Sequence, residues 1–412
     1  MILCLEMLLH SSSKQYDFDQ SKASVPAATV EKALAALKKL PKLEGIGIAE
    51  ETSEIPSYLH TLVSLEGLST CGKGLVPEQS RASAVMEYCE RYSWNNFDMK
   101  NAPGYIEASY EEIKETKVRT VKEDYFLCNF TGIANKYPLL KKIKRIPMKW
   151  IKGFSLTHKE DFYYPIRWHN HIFGSNGLAA GNTMEEAITQ GLCELIEREN
   201  VYRLVVEKEL ADDIDLSSIK HPAIKRAIDE AASAGIDLIL KDITFDIGVP
   251  SFIVYGSNSK YKDTLLHKGV GHGTYLGPEQ AVARALSEYF QAFSLLHDDI
   301  KKRGPDLTAE PNKHYGFLVT YPHDIFYKCG RRKPLSEIRD LSKKDFKDET
   351  EMLVSMLAKK GYETVITDKT NPVLGIPVVR VFVPGLRSVI VSEVHKPEIF
   401  ILAAQKEAMR GE

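Results

Sequence analysis

The sequence predicts a mixed α/β (α+β) fold, and three observations carry that prediction. Segments with helical periodicity and short strand-like runs follow one another in mixed order along the chain. The 412 residues, 43% hydrophobic and 27% charged, have the make-up of an ordinary globular protein with a large core. No run approaches the ~20 apolar residues of a membrane span, and no period of roughly 20–50 residues recurs.

The elements follow in order. The opening MILCLEMLLH is apolar, but Glu6 interrupts it and no basic segment leads it, which predicts an early strand or helical turn. PAATVEKALAALKKL (Pro26 to Leu40) has an amphipathic period and predicts the first helix. PSYLHTLVSLE reads as a strand running into the glycine turn CGKG, and a helix follows from Glu78 to Phe97. PMKWIKGFSL and EDFYYPIRW are strand-like. A long helix begins just after Asn182 or Thr183, where Glu186 stands three residues past Thr183 as in a capping box. Residues 221–256 read as helix, strand, strand, and GPEQAVARALSEYFQAFSLLHDDIKKR is the third long helix. DETEMLVSMLAKKGYETVITDKT and IPVVRVFVPG add a helix and two strands. One large domain with an N-terminal appendage accommodates this order better than two independent domains.

Charge and cysteines narrow the classes. A formal net charge of -2 supplies no global attraction to nucleic acid or an anionic membrane surface. The six cysteines are scattered with no C-x-x-C pair, which argues against a zinc site of the usual spacing, a thioredoxin-like motif or a disulfide framework. Buried thiols in a reducing cytosol fit best.

The informative feature is a polar stripe repeated on three helices. At about 100° per residue, Ser83 and Glu90 fall about 40° and 60° from Glu87, on one side of the helix. The same offsets from Glu194 give Gln190 and Glu197, and from Glu288 they give Arg284 and Gln291. A single Glu-x-x-Glu is usually a solvated face. The third helix excludes that reading, because AVARALSEYFQAFSLL is apolar apart from Arg284, Ser287, Glu288, Gln291 and Ser294. So narrow a stripe on an enclosed helix faces a polar cavity or a buried partner. No lysine lies between Ala82 and Asp98 to balance the first helix. Crowded carboxylates repel unless a hard cation neutralises them, and Mg2+ takes oxygen ligands together with substrate phosphates. Arg91, Arg198 and Arg284 supply planar forks suited to phosphate. The pattern therefore predicts a Mg2+–nucleotide site assembled from helix faces.

Three weaker signals read differently. GLSTCGKG misses a P-loop at its last position, where Gly74 replaces the metal-binding hydroxyl, and LVPE provides no helix start at the phosphate cradle. Lys73 is then either near phosphate or on a flexible exposed turn. WHNHIF places His169 and His171 on one side of a strand, more in keeping with a structural pair than a metal site. LLKKIKRIPMKWIKG is basic, and reads as a solvated strand edge rather than an RNA surface.

GKG followed by SAVMEYCERYS, GNTMEEAITQGLCELIEREN, ARALSEYFQAF and GIPVVRVFVPG resemble the YcaO superfamily in order and spacing, from about His60 to about Leu386. The resemblance implies a YcaO-type fold with ATP on glutamate-rich helix faces, divided into an N-terminal segment (1–59), a catalytic domain (60–395) and a C-terminal tail (396–412). Carried over by motif, ATP would meet Lys22, Thr29, Ser83, Glu87, Asn182, Glu186, Arg198 and Arg284. Mg2+ would meet Glu87, Glu90, Glu194, Glu197 and Glu288, and no further catalytic residue is assigned. Members of the family activate a peptide backbone amide. A nucleophile adds to its carbonyl, the oxyanion attacks the γ-phosphate of ATP, and phosphate leaves with the former amide oxygen. A substrate cysteine, serine or threonine gives an azoline, and external sulfide gives a thioamide. The ending IFILAAQKEAMRGE lacks the proline-rich tail of azoline-forming members, and no leader-binding or zinc-bearing domain is seen. The layout resembles the methanogen enzymes that install thioglycine in methyl-coenzyme M reductase. That implies a cytoplasmic homodimer acting on a peptide or protein with a TfuA-like partner or a sulfide source, without nucleic acid or membrane. The alternatives are an azoline-forming cyclodehydratase and a non-enzymatic ATP-binding maturation factor.

Overall fold

Helix starts in this chain are set mainly by proline and by side-chain caps. Pro26, Pro77 and Pro222 each occupy a first-turn position, where the missing N–H costs nothing, while Thr183 accepts from the Glu186 amide and Asp345 from the Lys347 amide. In the computed structural model, residues 9–15, 21–40, 47–52, 58–63, 68–126, 138–262, 267–303 and 324–389 are described. Their helices are α1 (Pro26–Leu37), α2 (Pro77–Asn95), α3 (Tyr110–Glu115), α4 (Glu123–Phe126), α5 (Ile166–Phe173), α6 (Met184–Val205), α7 (Pro222–Ser233), α8 (Pro278–Arg303), α9 (Asp324–Tyr327) and α10 (Phe346–Lys359). The expected strand or turn at the N-terminus falls largely on residues 1–8, outside the described residues, as does the C-terminal tail.

The strands form three sheets. β1 (Gly47–Thr52), β2 (Tyr58–Val63) and β3 (Ser69–Gly72) make an antiparallel meander against α2. A second sheet has the order β11 (Lys268–Thr274), β10 (Ser251–Asn258), β9 (Ile236–Asp242), β8 (Asp212–Ile214), β12 (Arg332–Lys333). The third runs β4 (Ile106–Ala108), β5 (Met148–Ser155), β13 (Val365–Asp368), β14 (Val378–Phe382), β7 (Leu178–Ala180), with β6 (Glu160–Pro165) paired to β5. Among these pairings only β8–β12 is parallel, so the fold is mixed α+β with helices layered on antiparallel sheets.

The largest core lies where α6 and α8 meet the second and third sheets, through Ile188, Leu192, Ala285, Phe290, Phe252 and Val381. α8 comes so close to β11 that a Cβ on Gly271 would collide with the Ala285 carbonyl and the Tyr289 amide. Glycine at that strand position is therefore a packing requirement. The stretch ahead of α1 is strapped onto α6 and α10. Ser12 Oγ meets Thr183 Oγ1 at 2.8 Å, Ala23 N donates to Glu186 Oε2 at 3.0 Å, and Lys14 Nζ reaches the fully buried Glu349 at 2.6 Å.

Several local expectations change. The capping box at α6 is only half made: Thr183 caps the Glu186 amide, but the Glu186 carboxylate turns to Asn182 and Ala23 instead of the cap. CGKG is a turn only in its second half: Cys71 and Gly72 end strand β3, Lys73 and Gly74 lead out of it, and α2 begins at Pro77. WHNHIF is helix α5, so His169 and His171 diverge; His169 is buried and His171 exposed. The basic stretch begins as a 3-10 helix (Pro138–Arg145) and continues into β5, which is paired on both sides and carries buried Trp150. It is not a sheet edge. Cys89 and Cys193 are buried, and burial pushes both thiols up to about 12. Cys71 is half-buried and Cys329 exposed, against the expectation of buried thiols; Cys4 and Cys128 lie outside the described residues.

A candidate active site on three helix faces

α2, α6 and α8 converge with their polar stripes inward around a cavity of about 640 Å³. α2 contributes Ser83, Glu87, Glu90 and Arg91. α6 and the residues before it contribute Asn182, Glu186, Gln190, Glu194, Glu197 and Arg198, and α8 contributes Arg284, Glu288 and Gln291. Lys22 and Thr29 close one end. Every site residue expected from the sequence thus lines one cavity, which is geometry and leaves each one's role to experiment.

At the end formed by the N-terminal segment, Thr29 Oγ1 donates to Asn182 Oδ1 at 2.9 Å and Asn182 Nδ2 donates to Glu186 at 3.0 Å. Lys22 Nζ stands 3.5 Å from Glu186. This end therefore offers a cation, a hydroxyl and an amide. Deeper in, each Glu-x-x-Glu is bridged by the arginine that follows it. Arg91 lies 3.4 Å from Glu87 and 3.5 Å from Glu90, and Arg198 lies 3.6 Å from both Glu194 and Glu197. Arg284 stacks over the Tyr275 ring at 4.3 Å, and the Tyr275 hydroxyl donates to Glu349 at 3.0 Å.

Two polar residues complete the far wall. Lys73, in the turn between β3 and α2, reaches Glu288 Oε2 at 2.5 Å, and His272 Nδ1 meets Glu288 Oε1 at 2.9 Å. Lys73 is therefore a bound cavity cation and not a flexible exposed one. The sequence reading passed over His272, although GVGHGT carries a signal for it. Gly271 and Gly273 lie under α8, so the intervening side chain must point to the other face of β11.

The charges are unevenly balanced. Burial pushes the Glu90 carboxyl up to about 8, with Glu194 and Glu87 adding to the rise and Arg91 opposing it. Burial also raises Glu197, against Arg198. Burial works to raise Glu288 too, but Lys73, His272 and Arg198 outweigh it and hold that carboxyl well below its usual range. Ligand atoms of Glu197, His272 and Glu288 lie within 4.8 Å of one another. Two carboxyls that burial shifts toward their neutral form, beside an ionised third, fit a hard divalent cation bound through oxygen. His272 fits an orienting role, since its Nδ1 is engaged with Glu288.

The sequence profile described as YcaO cyclodehydratase, ATP- and Mg2+-binding, matches residues 71–387. A curated relative from Rhizobium leguminosarum bv. trifolii, an uncharacterized protein in the tfuA 3' region, is 27% identical over 410 residues, covering 92% of this chain and 91% of its own. Among solved structures, YcaO from Methanopyrus kandleri bound with AMPPCP and Mg2+ superposes with TM-score 0.65 at 21% identity, over 93% of this chain and 97% of that one. A heterocyclase in complex with substrate and cofactor gives 0.73 at 23% identity, over 93% of this chain but 54% of its own. At those identities the two structures speak for the fold, and the profile match speaks for the family. This chain belongs to the YcaO family, whose cofactors are ATP and Mg2+.

Proposed function

We propose that the protein uses ATP to activate a peptide backbone amide and that external sulfide converts the amide to a thioamide. The observation that carries the ATP-dependent part is the convergence of three glutamate-bearing helix faces, each with an arginine, on one cavity. The sulfur part is supported by the relative in the tfuA 3' region. A glycine amide, as in methyl-coenzyme M reductase, is the proposed target, with a TfuA-like partner delivering substrate or sulfur and the enzyme acting as a homodimer.

The reaction balances as amide, hydrosulfide and ATP giving thioamide, ADP and phosphate. Sulfur forms a bond to the carbonyl carbon, the oxyanion takes the γ-phosphoryl group, and the carbon–oxygen bond breaks as phosphate leaves. In this assignment Glu87, Glu90, Glu194, Glu197 and Glu288 hold Mg2+, which supplies charge neutralisation at the phosphates when bound. Arg198 and Arg284 orient phosphate oxygens, and Lys22, Thr29, Asn182 and Glu186 hold the nucleoside end. Lys73, paired with Glu288 and within the field of Glu197, is placed to stabilise a developing oxyanion; its ammonium is kept charged by Glu288 and Glu197, which together more than offset burial. Most of the rate then comes from positioning and electrostatics.

The test is incubation of the purified protein with ATP, Mg2+, sulfide and a glycine-containing peptide, read by mass. Exchange of oxygen for sulfur adds ~16 Da, whereas azoline formation on a Cys or Ser peptide removes ~18 Da, simple mass differences for the same phosphoryl chemistry. The family's description as a cyclodehydratase makes the second outcome the competing one. ATP binding without turnover on any substrate would instead identify a maturation factor.

A further inference from the structure

Along β14, Val379 and Val381 pack into the large core beneath α6, so strand alternation turns Arg380 to the opposite, aromatic face. Thr367 of β13 stands directly opposite Arg380. Lys369, two residues on, shares that face, and its amide donates to the Val378 carbonyl at 2.7 Å. Two basic side chains thus occupy diagonal cross-strand positions, with Arg380 1% and Lys369 2% exposed, and burial together with Arg380 pushes the Lys369 ammonium well below its usual range, as befits a site lacking its counter-charge. Like charges so placed repel, and a buried cation persists only when paired or discharged.

Neither is paired with a described carboxylate. Arg380 Nε donates to His169 Nε2 at 3.3 Å, while its Nη1 and Nη2 have no hydrogen-bond partner among the described residues. Lys369 Nζ has none either and lies 3.3 Å from the centre of the Phe97 ring, which offsets only part of a buried charge. His169 cannot balance them. It accepts from Arg380 at Nε2, so its proton sits on Nδ1 facing the Tyr125 hydroxyl at 3.2 Å, and burial with the two cations keeps it neutral. The carboxylates whose field reaches Arg380 are Glu194 and Glu90, both committed to the cavity.

We propose that Arg380 and Lys369 together bind one small monovalent anion on this aromatic face of the sheet, beside the carboxylate cavity. A single negative charge with lone pairs free to accept answers the three orphan donors. A small anion suits the tight packing of this face: the void lined by Tyr125, Tyr164, Trp168, Phe173 and the His169 that accepts from Arg380 holds about 10 Å³, close to what one water occupies. Chloride and hydrosulfide share this chemistry. The second is also the nucleophile of the proposed reaction, and that branch alone rests on the proposed function.

The wild-type chain, purified into halide-free gluconate, is crystallised with sodium bromide and its anomalous diffraction measured at the bromine edge. A bromide peak within about 3.5 Å of Arg380 Nη and Lys369 Nζ is expected; ordered bromide elsewhere with none here overturns the site. In solution at constant ionic strength, bromide should raise Tm saturably, on the order of 2 °C at ten times Kd. Lys369→Met and Arg380→Gln should abolish that response. An equal response in wild type and both variants, or none in wild type, overturns it. Hydrosulfide that displaces bromide, with bromide inhibiting sulfide-dependent turnover in proportion, identifies the occupant as the reactant. Bromide binding indifferent to hydrosulfide identifies a structural chloride. The diffraction arm stands whether or not the protein makes thioamides.

Discussion

Replacing Glu90 with Gln makes the self-repulsion of the metal-free cavity measurable. The folded protein holds the Glu90 proton up to about pH 8, against a usual value of 4.5, because burial and the neighbouring Glu194 and Glu87 outweigh Arg91. The unfolded chain gives up that proton near 4.5, so it binds fewer protons than the folded chain between the two values. Stability from this group therefore falls as pH rises from about 4.5 to about 8. At about 1.4 kcal/mol per tenfold, the cost to the folded state is about 1 kcal/mol at pH 5 and about 3 kcal/mol at pH 7. Glu90→Gln removes the ionisation and keeps the shape. In EDTA, urea unfolding should show the variant more stable than wild type, by about 2 kcal/mol more at pH 7 than at pH 5. An equal effect at both pH values, or destabilisation that grows toward pH 7, would refute the electrostatic picture. With Mg2+ present the ranking should reverse, since the variant loses a ligand.

Glu87→Gln and Glu194→Gln should each lower ATP-dependent turnover at least about 100-fold while circular dichroism and gel filtration stay unchanged; full activity in both would end the carboxylate-site assignment. Lys73→Met should cut kcat by about 100-fold with little change in ATP affinity by calorimetry, because its charge would act on the reacting oxygen more than on bound nucleotide. Gly271→Ala should destabilise by about 1–3 kcal/mol in chemical denaturation, since the new Cβ meets α8 backbone that cannot step aside.

The stripes on α2, α6 and α8 were legible because a helix converts sequence spacing into angle, and the strongly apolar surroundings of Glu288 fixed which way its stripe faces. Helix limits followed from proline and cap residues within a few positions: Glu78–Phe97 was expected for α2, which spans Pro77–Asn95. Other features depend on distances that no local pattern encodes. Lys73 and Glu288 are 215 residues apart in sequence and meet only once β3 and α8 are packed. The Arg380–Lys369 pair exists because β13 and β14 are antiparallel in one particular register. WHNHIF misled because its aromatic and β-branched content suits a strand, while the chain turns at Pro165 into a short helix whose Trp168 and Ile172 fill the aromatic core.

The strap ahead of α1 has a practical consequence for anyone preparing shortened forms of the protein. Lys14 reaches Glu349, Glu349 accepts from Tyr275, and Tyr275 is the plate on which Arg284 rests. A form trimmed to begin at residue 24 discards Lys14 and Lys22 together and leaves the buried Glu349 with hydrogen bonds from Tyr275 and the Lys343 amide but no counter-charge, at a cost on the order of 3–5 kcal/mol. Inactivity of such a fragment would say nothing about whether the trimmed residues touch nucleotide, because its loss begins on the far side of Arg284.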